Sequence, residues 1–291
     1  LKKRASLAIV RLEVGSEISP MFMKELLKII EVENHQVYTD PTPLNMKYVF
    51  DMLNRLPEKL SEPHCYLPYM PKWPADLDAN RSMIEQIRQK DKLLFFPFDS
   101  VEPFIRLLNE AADREDVVSV KITIYRLAST SKIVRALCRA AENGKEVLVL
   151  MELRARFDEE NNIEWSKMLE EAGCKVIYGM ENYKCHSKIC LITLLERGKY
   201  SFITQVGTGN YNEKTNAMYT DLSMMTANEK IGIDGTAFFR NMLMGNLEGE
   251  YSELLVAPIG IKSTLCKLID EEIAKGSEGH ICIKINSITE R

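Results

Sequence analysis

The sequence lacks any apolar run approaching the ~18 residues that cross a membrane. It also lacks a basic field. Thirty-eight Lys and Arg stand against 42 Asp and Glu, for a net charge of -4. That excludes the broad positive surface that tracks nucleic acid, so any polyanion must bind a local cluster of Arg and Lys. The seven cysteines are an odd number without a repeated C-x-x-C, which fits a reducing compartment and small core residues better than a disulfide framework. There is no internal repeat, no low-complexity tract and no Walker loop. Gly144-Lys145 is followed by Glu146 and has no glycine at the required upstream position.

What is present is ordinary for a globular protein: 291 residues, 45% hydrophobic and 27% charged, enough for one large domain or two. The first residue is Leu1, with a strand-like run from Leu7 to Val14. His280 to Ile285 reads as a strand close to Arg291. These ends suggest a piece of a longer protein, so a missing leader says little.

Residues 1 to about 54 read as strand, helix, loop, helix, with Met21 to Val32 at helical spacing behind Pro20. Pro57, Pro63, Pro68, Pro71 and Pro74 then mark a strap and a domain boundary. From about Leu93 strands alternate with helices. Strands are expected over Val117–Tyr125, Glu146–Leu153 and Cys174–Tyr178, with helices over Ser131–Glu142 and Glu159–Ala172. This implies a parallel sheet with helices on its faces, an α/β fold. A hairpin over Lys184–Leu195 and Tyr200–Val206 follows, then a strand over Met218–Met225. Helices over Asp234–Leu247 and Ile261–Lys275 complete the pattern.

Ligands of open parallel sheets bind beyond the carboxyl ends of the strands. Arg126 and Arg156 fall there. Each precedes a helix start, capped by Ser129-Thr130-Ser131 or by Asp158, and helix N-termini suit phosphate. A surface ion pair is an equally good account of Arg156. In Lys184-Cys185-His186-Ser187-Lys188, strand alternation puts Lys184, His186 and Lys188 on one face. A lone histidine is more often structural. Clustered cations around one suggest a bound anion, and they favour the neutral, nucleophilic imidazole. Alternation places Cys185 opposite His186 and Cys190, too few convergent ligands for zinc. His35, His64 and His280 read as structural or surface residues. Gly207-Thr208-Gly209-Asn210-Tyr211-Asn212 is by itself only a turn. Asp221 can orient an imidazole or balance the cations. Tyr219 can stack on a base, although a strand tyrosine is more often packing.

His186-x-Lys188 followed by Gly207-Thr208-Gly209-Asn210 resembles half of a phospholipase D active site. Further residues narrow the resemblance to the ATP-using polyphosphate kinases. They are Ile124-Tyr125-Arg126, the run from Ala155 to Ile163, Lys184 to Lys188, Gly207 to Thr215 and Tyr219-Thr220-Asp221. The resemblance implies a phospholipase D-like sheet flanked by helices over 73–256, behind part of a smaller α/β head domain and strap over 1–72. Residues 257–291 would start a second such half. It implies that His186 becomes phosphorylated, with Lys188 and Asp221 in the catalytic set. It places Tyr219, Lys184 and Asn210 with ATP or its phosphates, and Arg126 and Arg156 at the phosphate and Mg²⁺ site, where arginine holds phosphates rather than the ion.

The implied partners are ATP, ADP and polyphosphate, with no nucleic acid and no transmembrane segment. The parent is implied to be a bacterial homo-oligomer, cytoplasmic or peripheral to the inner membrane. One departure from phospholipase D is Thr193, where that pattern has Asp, and the polyphosphate kinases share it. Without a second half carrying another histidine, and without an N-terminal helical domain, the chain alone is expected to be inactive or nearly so. The rival readings are a phosphodiesterase using the same histidine and a non-enzymatic polyanion-binding module.

Overall fold

A computed structural model describes residues 7–42, 45–67, 69–125, 127, 131–152, 159–180 and 183–285, with backbone only for 159–161. The chain divides into two compact units, Leu1–Pro68 and Tyr69–Arg291.

In the first unit, β1 (Leu12–Val14) pairs in parallel with β2 (Val37–Thr39). Between them, α1 (Pro20–Ile30) starts behind Ser19, whose hydroxyl accepts from the Phe22 amide, with Pro20 in the first turn. The expected strand from Leu7 shrinks to three residues, because only those find a partner in β2. Two further helices follow, α2 (Tyr48–Arg55) and the single turn α3 (Glu58–Ser61).

The second unit runs α4 (Met83–Gln89), β3 (Lys92–Phe96), α5 (Glu102–Asp113), β4 (Val117–Ile124), α6 (Lys132–Glu142), β5 (Glu146–Met151), α7 (Glu159–Glu171) and β6 (Lys175–Tyr178). It continues with β7 (Ile189–Glu196), β8 (Lys199–Gly207), α8 (Glu213–Asn216), β9 (Asp221–Thr226), α9 (Glu229–Met244) and α10 (Gly260–Ala274). The seven strands form one sheet in the order β3-β9-β8-β7-β4-β5-β6.

Only β4, β5 and β6 are parallel; every other pairing is antiparallel. The sheet is therefore mixed, not parallel. The hairpin through Arg197-Gly198, where both residues take positive φ, reverses the chain and ends the parallel run. His280–Ile285 joins no strand, since no described neighbour offers it a ladder.

Strand alternation sends side chains to two cores. Val120, Ile122, Cys190, Ile192 and Leu194 face one core with α4, α5, α6 and Leu169 of α7. Leu148, Ile189 and Leu191 face the other with Phe238 and Phe239 of α9. Each fully buried Leu or Ile contributes roughly 1.5–3 kcal/mol. Close packing of α9 on β8 depends on Gly232, where a Cβ would lie 2.4 Å from that of Phe202. The buried carboxylate of Asp234 accepts from the amides of Ser252 (2.9 Å), Glu253 (2.6 Å) and Leu254 (2.9 Å). It thereby holds the segment after α9, with Tyr251, Leu254 and Val256, against the second core.

The strand directions put the carboxyl ends of β3, β4, β5 and β8 on one edge of the sheet, with the starts of β7 and β9.

Candidate active site

That edge gathers the histidine segment, the glycine-rich loop and Asp221. Lys184–Lys188 is not part of a strand, contrary to the hairpin expected from Lys184. The β4–β7 ladder ends at Ile122↔Cys190. Beyond it, the Thr123 hydroxyl replaces the backbone ladder, accepting from the Ile189 amide (3.1 Å) and donating to the Ser187 carbonyl (2.8 Å). Two residues earlier, the Cys185 amide donates to Glu152 Oε2 (2.9 Å) at the end of β5. On the other side, the Gly207 amide donates to the Lys188 carbonyl (2.9 Å).

Within this segment the three cationic candidates differ. Lys184 and His186 are exposed, whereas Lys188 retains 5% exposure. His186 meets Tyr125 edge-on, ring centroids 4.9 Å apart at 81°. The Lys188 ammonium lies 5.3 Å from the centre of the same ring and donates to the His186 carbonyl. Among the described residues it forms no ion pair. Burial lowers its pKa to about 8, opposed by nearby Cys185 and Asp221. Cys185 turns the other way, its sulfur 3.2 Å from the Ser187 hydroxyl, and burial raises its pKa. Cys185 packs on the second core and Cys190 lies in the first. A cavity of about 500 Å³ opens beside His186 and Lys188, walled by Phe238, Met242, Tyr251 and Leu254.

The glycine-rich loop is a built element. Thr208 donates from its amide to the Leu222 carbonyl (2.9 Å) and from its hydroxyl to Asp221 Oδ1 (2.8 Å). Gly209 lies so close to Asp221 that a Cβ would sit 2.5 Å from Oδ2. Beneath the loop, buried Tyr211 stacks on Phe104 (5.3 Å) and donates to Gln205, which bonds Ser223 (2.9 Å). The Asn210 side-chain oxygen is buried without a partner among the described residues.

Tyr219 is not in a strand. Asn212 caps the turn α8, and the Tyr219 amide still bonds the Thr215 carbonyl (2.9 Å), so β9 begins only at Asp221. Tyr219 is 61% exposed, which does not fit a packing residue. The start of α6, expected to receive phosphate, is occupied by the protein's own anion. Glu213 accepts from the Lys132 amide (2.8 Å) and from the Ser131 hydroxyl (3.4 Å). Arg126, Ser129, Thr130, Arg156 and Asp158 lie outside the described residues.

Thr123 and Glu152 are not among the residues that the sequence singles out, and Tyr125 has no role assigned from it. Glu152 carried a signal: a carboxylate closing the apolar run Val147–Met151, buried to 3% exposure.

One edge of a mixed sheet thus holds a histidine between two lysines beside a glycine-rich loop. The family model for polyphosphate kinase C-terminal domain 1 matches residues 82–248, and the chain belongs to the polyphosphate kinase family. The polyphosphate kinase of Staphylococcus haemolyticus is 40% identical over this whole chain and 41% of its own length. The crystal structure of polyphosphate kinase from Porphyromonas gingivalis superposes on 92% of this chain and 41% of its own, with TM-score 0.77 and 30% identity. A phospholipase D family member, Nuc from Salmonella typhimurium, matches 57% of this chain at 14% identity and TM-score 0.43, a likeness too slight to bear on mechanism. The chain thus spans about two fifths of the length of the curated relatives it matches.

Proposed function

We propose that this chain carries the phosphate-accepting half of a polyphosphate kinase. In this reading, residues 73–256 form the catalytic half and 257–291 begin a second one. His186 attacks the γ-phosphorus of ATP in line. An N–P bond forms, the bond to the β-γ bridging oxygen breaks, and ADP leaves. An oxygen of terminal polyphosphate then attacks that phosphorus, the N–P bond breaks, and the polymer grows by one unit. Both steps reverse.

The observation that carries the reading is the pairing of exposed His186 with buried Lys188 on one tyrosine ring at the sheet edge. Lys188 is a desolvated cation, and charge on a phosphoryl group arriving at His186 would restore its full stabilisation. Lys184, Arg126 and Arg156 add charge around the phosphates, Asp221 with its loop fixes the far side, and exposed Tyr219 is available to a base.

Magnesium belongs to this reading as part of the nucleotide. The described residues bring no three His, Cys, Asp or Glu together, and the cations here fit phosphate oxygens rather than a divalent ion.

The test uses a protein of the relatives' full length carrying this sequence. It is incubated with γ-labelled ATP and Mg²⁺ and quenched in base. Acid-labile label on the His186 peptide, lost in His186→Ala and chased into polymer, is expected. Intact ATP with no labelled histidine would overturn the reading in favour of a phosphodiesterase or a binding module.

A further inference from the structure

Exposed residues outside a ladder do not stay in one place unless something holds the backbone. His186 lies in such a segment, yet its neighbours on both sides are tied down. Cys185 is held through its amide by Glu152, and Ser187 and Ile189 through carbonyl and amide by Thr123. Both supporting side chains are buried, with 3% and 1% exposure. Both come from the carboxyl ends of adjacent parallel strands, β4 and β5, which the Glu152 amide joins through the Ile124 carbonyl (2.9 Å). A third element braces them, since Asn162 of α7 donates to the carbonyls of Tyr125 and Glu152 (3.1 Å each).

We infer that Glu152 and Thr123 are positioning residues for His186: a two-point sling, one point on each side of the histidine, that fixes its backbone where the β-ladder stops. The inference builds on the proposed phosphotransfer, but the sling itself is a statement about backbone hydrogen bonds.

The chemistry of the two points differs from that of a ladder. A β-ladder running through 185–189 would commit alternate amides and carbonyls to a neighbouring strand and set His186 at a sheet position. Side-chain hooks leave the peptide groups around residue 186 off the sheet while still fixing them. The imidazole then meets the Tyr125 ring edge-on, with the Lys188 ammonium against the same ring. A buried carboxylate is suited to hold an amide, because a charge-assisted bond is stronger than a neutral one. Thr123 is suited because one hydroxyl both accepts and donates. Losing either hook leaves a peptide group unsatisfied and lets the histidine shift, and a shift of about 1 Å in a reacting group can cost on the order of 100-fold in rate.

The test compares variants in the full-length protein: Glu152→Ala and Thr123→Val, which remove the hooks, and Glu152→Gln and Thr123→Ser, which keep an acceptor or the hydroxyl. Two readouts are taken. Hydrogen exchange of the peptide covering 183–190 needs no activity. It is expected to quicken in Glu152→Ala and Thr123→Val and to return towards the parent in Glu152→Gln and Thr123→Ser. The rate of label transfer to His186 is expected to fall about 10- to 100-fold in the first pair, with KM for ATP within about threefold, and to recover to within about fivefold in the second.

Unchanged exchange in Glu152→Ala and Thr123→Val would overturn the sling whatever the activity. Quickened exchange with full transfer would overturn its role in positioning. A fall in Glu152→Gln as deep as in Glu152→Ala would also overturn it, by making the charge itself the requirement. If no variant, nor the parent, labels His186 while exchange behaves as expected, the sling stands and the phosphohistidine reading falls.

Discussion

The two ends of the sheet are built from opposite uses of charge. At the start of β4 and the end of β7, charges satisfy one another. Arg114 grips Asp116 (2.5 Å) and reaches Glu85 (3.2 Å), and Arg88 holds Glu196 (2.8 Å) and Glu85 (3.2 Å). The Arg114 hydrogen bond holds the Asp116 carboxyl at about 2. Glu110 closes the set by accepting from the amide of Met83 at the start of α4 (2.6 Å). At the other end, Lys188 is buried with an aromatic ring and a carbonyl and without a carboxylate partner among the described residues. The first arrangement stabilises a fold. The second costs stability, a cost that the proposed binding of phosphate would offset, as sites that bind or react often trade stability for function.

Lys188→Met is expected to have the largest effect. Label transfer to His186 is expected to fall at least 100-fold, while thermal unfolding moves up by a few degrees, because a desolvated cation is removed. A lower melting temperature would mean Lys188 is structural. Gly209→Ala comes next. The new methyl displaces Asp221, and transfer is expected to fall about 10-fold with little change in melting. Unchanged transfer would separate Asp221 from the reaction. At the opposite end, Arg114→Met leaves Asp116 without its cation and Glu85 with Arg88 alone. With Asp116 alone stranded, it should cost about 1 kcal/mol in denaturant unfolding and leave transfer unchanged.

The smallest effects are in pH. Lys188 has its ordinary value of 10.5 lowered to about 8, so the unfolded chain binds its proton more tightly. Its stability penalty is present in full below about 8 and disappears as pH rises towards 10.5. Asp116, lowered from 3.8 to about 2, contributes stability above 3.8 that is lost as pH falls towards 2. Melting measured across both windows should show the first slope vanish in Lys188→Met and the second in Arg114→Met. Transfer by the free enzyme should also decline above about pH 8.

Alternation of apolar residues found β4 to β8 and their helices to within a few positions, because buried strands and amphipathic helices leave a periodic trace. β3 left a weaker trace, being an edge strand with Leu93 and Phe95 exposed. Lys184 to Lys188 were misread as strand because their pattern alternates. Where a ladder stops depends on the partner strand, and here it stops because Thr123 turns its hydroxyl into the gap. That Glu213, 81 residues away in sequence, accepts from the first amide of α6 was likewise invisible to local reading.

The amino-acid sequence alone singles out a histidine between lysines, a loop with glycines at 207 and 209, and an aspartate at 221. Those are local facts, set by residue type and spacing. The tertiary structure alone decided that Lys188 is buried while His186 and Lys184 stay exposed, that Tyr125 serves both His186 and Lys188, and that Glu152 and Thr123 hold the backbone between them. Desolvation, ring contacts and backbone hooks are made by residues distant in sequence, and nothing in local periodicity reports which strand ends will meet.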